Sequence, residues 1–168
     1  CGKGTVGKRL AAKYGLEYHE TGEIFRRRAS PKVLEDISRG HLGPDELLLS
    51  WLEEEIQSDR VVIDSIRSVG QVTWLNDHLA AFSKVVAFKL SITRKEAHRR
   101  IRLAPGTERG ARADDNSIDR RIAEYSRYEA QVWPLLCKLS CLKENVIFGE
   151  RDREDVYRDV LNRCERHL

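Results

Sequence analysis

The stretch Cys1-Gly2-Lys3-Gly4-Thr5-Val6-Gly7-Lys8-Arg9-Leu10 decides the fold, because it joins a glycine-rich turn carrying a lysine to the start of a helix that runs from Val6 to Tyr14. Its first five residues match the back half of a G-x-x-x-x-G-K phosphate-binding turn. In such a turn backbone N–H groups wrap the phosphates while the lysine reaches their outer oxygens. The turn hangs from a buried strand and begins on a leading glycine, so both are expected before Cys1. The chain, which contains no methionine, therefore reads as a piece of a longer one. That strand would be central in the sheet, and without it two neighbours face an unpaired gap.

Working outward, 168 residues suit one domain with one core. A third of the residues are charged, yet the net charge is only +3, which excludes the global basic field of a nucleic-acid binder. The apolar run around Val85 to Leu90 falls far short of the roughly 20 residues a membrane helix needs, and no signal peptide is visible. A soluble, cytoplasmic protein and a monomer are expected. Cysteines stand at positions 1, 137, 141 and 164 without a C-x-x-C pair, and read as reduced thiols rather than a disulfide framework or a zinc site.

Short apolar runs alternate with helical patterns, the signature of a layered α/β domain with a parallel sheet. Four strands are predicted: Leu16 to His19, Val61 to Asp64, Val85 to Leu90, and Val146 to Phe148 closing on Gly149. Gly43-Pro44-Asp45-Glu46 signals a helix start, with proline in the first turn, before the apolar stripe Leu47, Leu48, Trp51, Leu52 and Ile56. Further helices are predicted over Val69 to Phe82, Arg94 to Leu103, about Asp119 to Leu139, and Asp152 to Cys164. Leu103 to Asn116 is a loop too rich in glycine, proline and charge to pack inside.

Two groups of residues carry chemistry. Lys3 after Gly2 is the first, and Asp64 at the end of a β-branched strand joins it, because a parallel sheet can present that carboxylate to a hydrated magnesium ion near phosphates. Aspartate at a strand end also serves as an ordinary helix cap. Arginines are the second: Arg26, Arg67, Arg112 and Arg121, whose guanidinium forks can offset the repulsion between two phosphate groups. The structural alternative is surface pairing with the abundant Glu and Asp, worth at most about 1 kcal/mol each. The histidines at 19, 41, 78, 98 and 167 show no paired spacing, and Trp51, Trp74 and Trp133 fall in apolar stripes as packing residues.

The order of these motifs resembles the adenylate kinase and nucleoside monophosphate kinase family over nearly the full length. Gly2-Lys3-Gly4-Thr5 resembles its phosphate loop. Tyr14-Gly15-Leu16 through Thr21-Gly22-Glu23-Ile24-Phe25-Arg26 resembles its K-Y-G-L…S-T-G-D-x-L-R segment, and Gly40 to Glu46 its G-x-L-V-P-D-E segment. Arg112-Ala113-Asp114-Asp115, then Arg121, Tyr125 and Pro134-Leu135, resemble its R-x-D-D…R-x-x-x-Y…P-L exit from the lid.

The resemblance implies a three-layer α/β/α fold of the P-loop NTPase type, with helices for the acceptor at about 21–58 and a short lid at about 104–116. It implies that Gly2, Lys3, Gly4 and Thr5 hold ATP, and that Thr21, Arg26, Arg67 and Gln71 hold the acceptor, with Gln71 on the base. Arg112 and Arg121 would close over the transferring group, and Asp64 would orient magnesium-bound water. Mg2+ with ATP as co-substrate, and a nucleoside monophosphate with AMP favoured, are the implied ligands.

The chain departs from the family at Asp64-Ser65-Ile66-Arg67, where Asp-Gly-Phe-Pro-Arg is usual: it is one residue shorter and lacks the glycine and the proline. This form is closer to archaeal P-loop proteins resembling dephospho-coenzyme A kinase, so another small-molecule acceptor, or nucleotide binding without catalysis, stays open. The spacing from Asp115 to Arg121 is about two residues shorter than usual, and the lid has no cysteines for a zinc ion.

Overall fold

The chain folds as alternating helices and short parallel strands in a computed structural model that describes residues 2–78, 84–104, 118–142 and 145–166, the Arg121 side chain excepted. The strands are β1 (Glu17–Glu20), β2 (Val61–Asp64), β3 (Lys89–Ser91) and β4 (Val146–Phe148). The helices are α1 (Lys3–Tyr14), α2 (Thr21–Arg28), α3 (Pro31–Ser38), α4 (Asp45–Glu55), α5 (Val69–His78), α6 (Arg94–Leu103), α7 (Ile118–Leu139) and α8 (Arg153–Glu165).

Pairing is parallel throughout, as the α/β alternation predicts. β1 pairs with β2 in the register Tyr18↔Val62 and Glu20↔Asp64, and β3 pairs with β4 in the register Leu90↔Ile147. The two pairs form separate sheets among the described residues, with β2 not hydrogen-bonded to β3. Helix α1 links them. Its buried stripe of Val6, Gly7, Leu10 and Ala11 follows the helical period. Val6 and Leu10 share a core with Leu90, Ile147, Val156 and Val160 of β3, β4 and α8. A second core joins Ile24 and Phe25 of α2, Leu48 and Leu52 of α4, and Trp74 and Leu75 of α5. Leu48 and Leu52 are fully buried, each contributing roughly 1.5–3 kcal/mol.

Local signals explain the helix ends. Gly2 at φ +92° turns the chain into α1, and Gly15 at φ +62° ends it by donating to Ala11 O. Thr93 caps α6 by accepting from the Glu96 N–H, and Asp152 caps α8 by accepting from the Glu154 N–H. Pro44 occupies the cap position of α4 rather than its first turn. Helix α3 is an addition to the elements predicted from sequence, begun by Ser30, whose hydroxyl accepts from the Val33 N–H, and by Pro31 at the first position.

One predicted element is trimmed. The strand predicted at Val85 to Leu90 narrows to β3, because β4 offers only three residues for pairing. The preceding segment is held by the end of α7 instead: Val85 O accepts from the Cys141 N–H, and the Ala87 N–H donates to Ser140 Oγ. Helix α5 is described to His78, and positions 79–82 of the predicted helix lie outside the described residues, as does the predicted lid beyond Ala104. None of the described helices is long and apolar enough to cross a membrane.

Candidate functional site

The N-terminal turn of α1, the end of β2 and the start of α2 come together. Lys3 is the first residue of α1 and is exposed, as is Thr5. Among the described residues no side chain caps this helix and no acid stands in its first turn, so its leading N–H groups lack a side-chain acceptor from the cap position. Asp64, 8% exposed, closes β2 beside that turn. A Cβ added to Gly4 would lie 3.5 Å from Asp64 Oδ2 and 3.4 Å from the Tyr18 hydroxyl. One on Gly7 would collide with the Tyr18 ring at 2.8 Å. The glycines of the motif thus let the helix settle onto Tyr18 and the carboxylate.

Asp64 is held at both oxygens. The Tyr18 hydroxyl donates to Oδ2 at 3.0 Å, and Ser65 Oγ donates to Oδ1 at 3.0 Å. Burial first, and the neighbouring Asp64 charge second, push the Tyr18 phenol well above its ordinary range, so it stays a donor. Ser65 stands at φ +84°, the left-handed conformation that the family's glycine adopts freely. Its carbonyl accepts from Thr21 Oγ1 at 2.9 Å, which ties the buried Thr21 at the head of α2 to the end of β2.

Each carboxylate oxygen of Asp64 keeps acceptor capacity beyond the one hydroxyl it meets. No three His, Cys, Asp or Glu side chains converge on a common point among the described residues. A single carboxylate with spare lone pairs beside an uncapped helix start fits a hydrated magnesium ion shared with phosphates, the usual manner of binding this ion.

The predicted acceptor residues occupy the adjoining face. Arg26 on α2 donates to Glu20 Oε1 at 3.0 Å, and Glu20 is the register partner of Asp64. The backbone N–H of Arg67 donates to Gln71 Oε1 at 2.7 Å, and Gln71 Nε2 donates to Asp45 Oδ1 at 2.8 Å. Gln71 is buried, 3% exposed, and this pair of bonds fixes its amide orientation, since the N–H only donates and the carboxylate only accepts. The Arg67 guanidinium lies close enough to Tyr125 on α7 to oppose the upward shift that burial and Glu129 impose on that phenol. Arg112 lies outside the described residues, and Arg121 sits on α7 with its side chain outside them.

Two residues of this site escape the sequence reading. Tyr18 has no motif signal, because its role depends on the register of β1 with β2. Arg100 is one of several basic residues on α6, and only the fold singles it out. It donates from Nε to Glu96 Oε1 at 2.6 Å and from Nη2 to Gly149 O at 2.7 Å, and its Nη1 would lie 4.0 Å from a Cβ on Gly2. Glu96 in turn is held at about 2 by hydrogen bonds from Arg99 and Arg100.

Comparison with known proteins identifies the family. The AAA_17 family model, described as an AAA domain, matches residues 1–120. The adenylate kinase of Phocaeicola vulgatus is 30% identical over 148 residues, covering 80% of this chain and 77% of that protein. The adenylate kinase of Thermus thermophilus is 31% identical over 134 residues, covering 74% and 72%. That of Bacillus velezensis is 28% identical over 201 residues, covering 95% and 91%. With the helix start, the strand-end carboxylate and the parallel pairing in place, these matches show that the chain belongs to the adenylate kinase-like family of P-loop kinases.

Proposed function

We propose that the chain catalyses reversible phosphoryl transfer from Mg-ATP to a nucleoside monophosphate, with AMP the favoured acceptor. The observation that carries this reading is the uncapped start of α1, which bears Lys3 and sets Gly4 against Asp64, joined through Ser65 and Thr21 to the helix bearing Arg26. The relatives named adenylate kinase support the choice of AMP.

In this reading Gly2, Lys3, Gly4 and Thr5 hold the donor phosphates, with first-turn N–H groups and the lysine charge on their oxygens. Arg26 and Arg67 hold the acceptor monophosphate, Gln71 stands toward its base, and Arg112 and Arg121 close over the transferring group. The helical segment at about 21–58 serves as the acceptor-binding part and the 104–116 segment as a short lid. Asp64 holds the magnesium ion through water, and the ion when bound would neutralise charge on the phosphates. Such transfer asks of the protein mainly in-line positioning and charge offset, and closure of the lid keeps water out.

The test separates the two sites. Arg67→Ala raises KM for the acceptor by about tenfold or more, as expected for a lost charge-assisted contact of roughly 1.5–3 kcal/mol, and leaves KM for ATP unchanged. Equal losses for both substrates contradict the assignment. The left-handed Ser65 in a shortened segment favours a second reading, a different small-molecule acceptor such as dephospho-coenzyme A, and a higher kcat/KM for that acceptor than for AMP would establish it.

A further inference from the structure

Tyr18 touches both the first turns of α1 and the carboxylate of β2. Its ring lies beneath α1 so closely that a Cβ on Gly7 would sit 2.8 Å from Cε2, and Lys8 Nζ stands 5.7 Å from the ring centroid. From that packed position the hydroxyl ends 3.0 Å from Asp64 Oδ2. Ser65 Oγ takes the other oxygen. A carboxylate with one donor on each oxygen cannot turn about its terminal bond without losing both, so its remaining lone pairs point in fixed directions. Tyr18 is anchored by the helix that carries the phosphate-binding residues, so the direction of those lone pairs is set relative to the phosphates themselves.

We infer that Tyr18 is a positioning residue, which holds Asp64 in the orientation that meets magnesium-bound water and so sets the preference of the site for Mg-ATP over metal-free ATP. This rests on the reading of Asp64 given above. Phenylalanine at position 18 keeps the ring under α1 and removes only the hydroxyl, so the change addresses the hydrogen bond and not the packing.

The experiment is titration calorimetry of ATP binding with and without Mg2+, on the wild type, Tyr18→Phe, Asp64→Asn and the double variant. The expected result is that Tyr18→Phe lowers the ratio of Mg-ATP affinity to metal-free ATP affinity by about tenfold, the size typical of a lost outer-shell partner, with metal-free binding unchanged. The double variant then loses no more than Asp64→Asn alone, because the two act as one unit. Ser65→Gly, which removes the other donor and relaxes the backbone, lowers the ratio in the same direction and serves if Tyr18→Phe folds poorly. A wild-type ratio in Tyr18→Phe, with the ratio collapsed in Asp64→Asn, overturns the role of Tyr18 and leaves that of Asp64 standing. An unchanged ratio in Asp64→Asn, or no ATP binding by the wild type, overturns the Asp64 reading and this inference with it.

Discussion

At the scale of single residues the site is built from what glycine omits and what hydroxyls supply. Gly7 sits inside a helix, where alanine would ordinarily gain about 1 kcal/mol. Here the added methyl meets Tyr18 Cε2 at 2.8 Å, and overpacking of this kind costs about 1–3 kcal/mol. Gly7→Ala is therefore expected to destabilise the fold by up to about 2 kcal/mol net despite its better helix propensity, and so to lower the urea midpoint. A midpoint raised by the substitution would mean that Tyr18 does not support α1. Ser65 makes the opposite case: a side chain occupies a backbone conformation suited to glycine, and its hydroxyl is used on Asp64. The sequence alone marks Ser65 as a departure. Nothing in it marks Tyr18 or Arg100, whose partners lie 46 and 49 positions away and are brought near only by strand register and helix packing.

At the scale of elements, legibility depends on how much of each element's face is buried. Helix α4 announces itself through Asp45-Glu46 and the fully buried Leu48 and Leu52, and β2 through three β-branched residues ending in the buried Asp64. Helix α3 is only eight residues long and its apolar Val33 and Ile37 are no more than partly buried against the second core, a stripe too short to stand out, although Ser30-Pro31 marks its start. The sequence pattern overextends β3 because the apolar residues at 85–88 are held by the end of α7 and not by a strand.

Helix α6 permits a pH prediction. Hydrogen bonds from Arg99 and then Arg100 hold Glu96 at about 2, below the ordinary 4.5. A carboxyl whose pKa falls on folding stabilises the fold fully above the unfolded value and loses that contribution as pH drops through the folded one. The Glu96 contribution is thus present above 4.5 and fades toward 2. In acid titrations followed by circular dichroism, Glu96→Gln is expected to flatten the loss of stability in that window. Identical acid profiles for the two proteins would remove Glu96 from the account.

At the scale of the whole molecule, two cores divide the labour. One fastens α1 and α8 to β3 and β4, and the other gathers α2, α4 and α5. The proposed donor residues ride on α1 and the proposed acceptor residues on the second group, and the Thr21 to Ser65 bond ties the head of α2 to the end of β2 where they meet. The parallel α/β plan is legible from alternating periodicity, and the division into two cores is not, since it depends on which faces α1 and α5 present. The account as a whole requires that phosphoryl groups pass between two nucleotide sites at the start of α1. A coupled assay of ADP formation from Mg-ATP, with AMP, CMP, UMP, GMP and dephospho-coenzyme A as acceptors and Lys3→Ala alongside, measures this directly. The account predicts the fastest transfer with AMP and a drop on the order of 100-fold or more in Lys3→Ala, the size expected when a preorganised phosphate-binding charge is removed. No acceptor-dependent ADP from the folded protein, or undiminished turnover in Lys3→Ala, would contradict it.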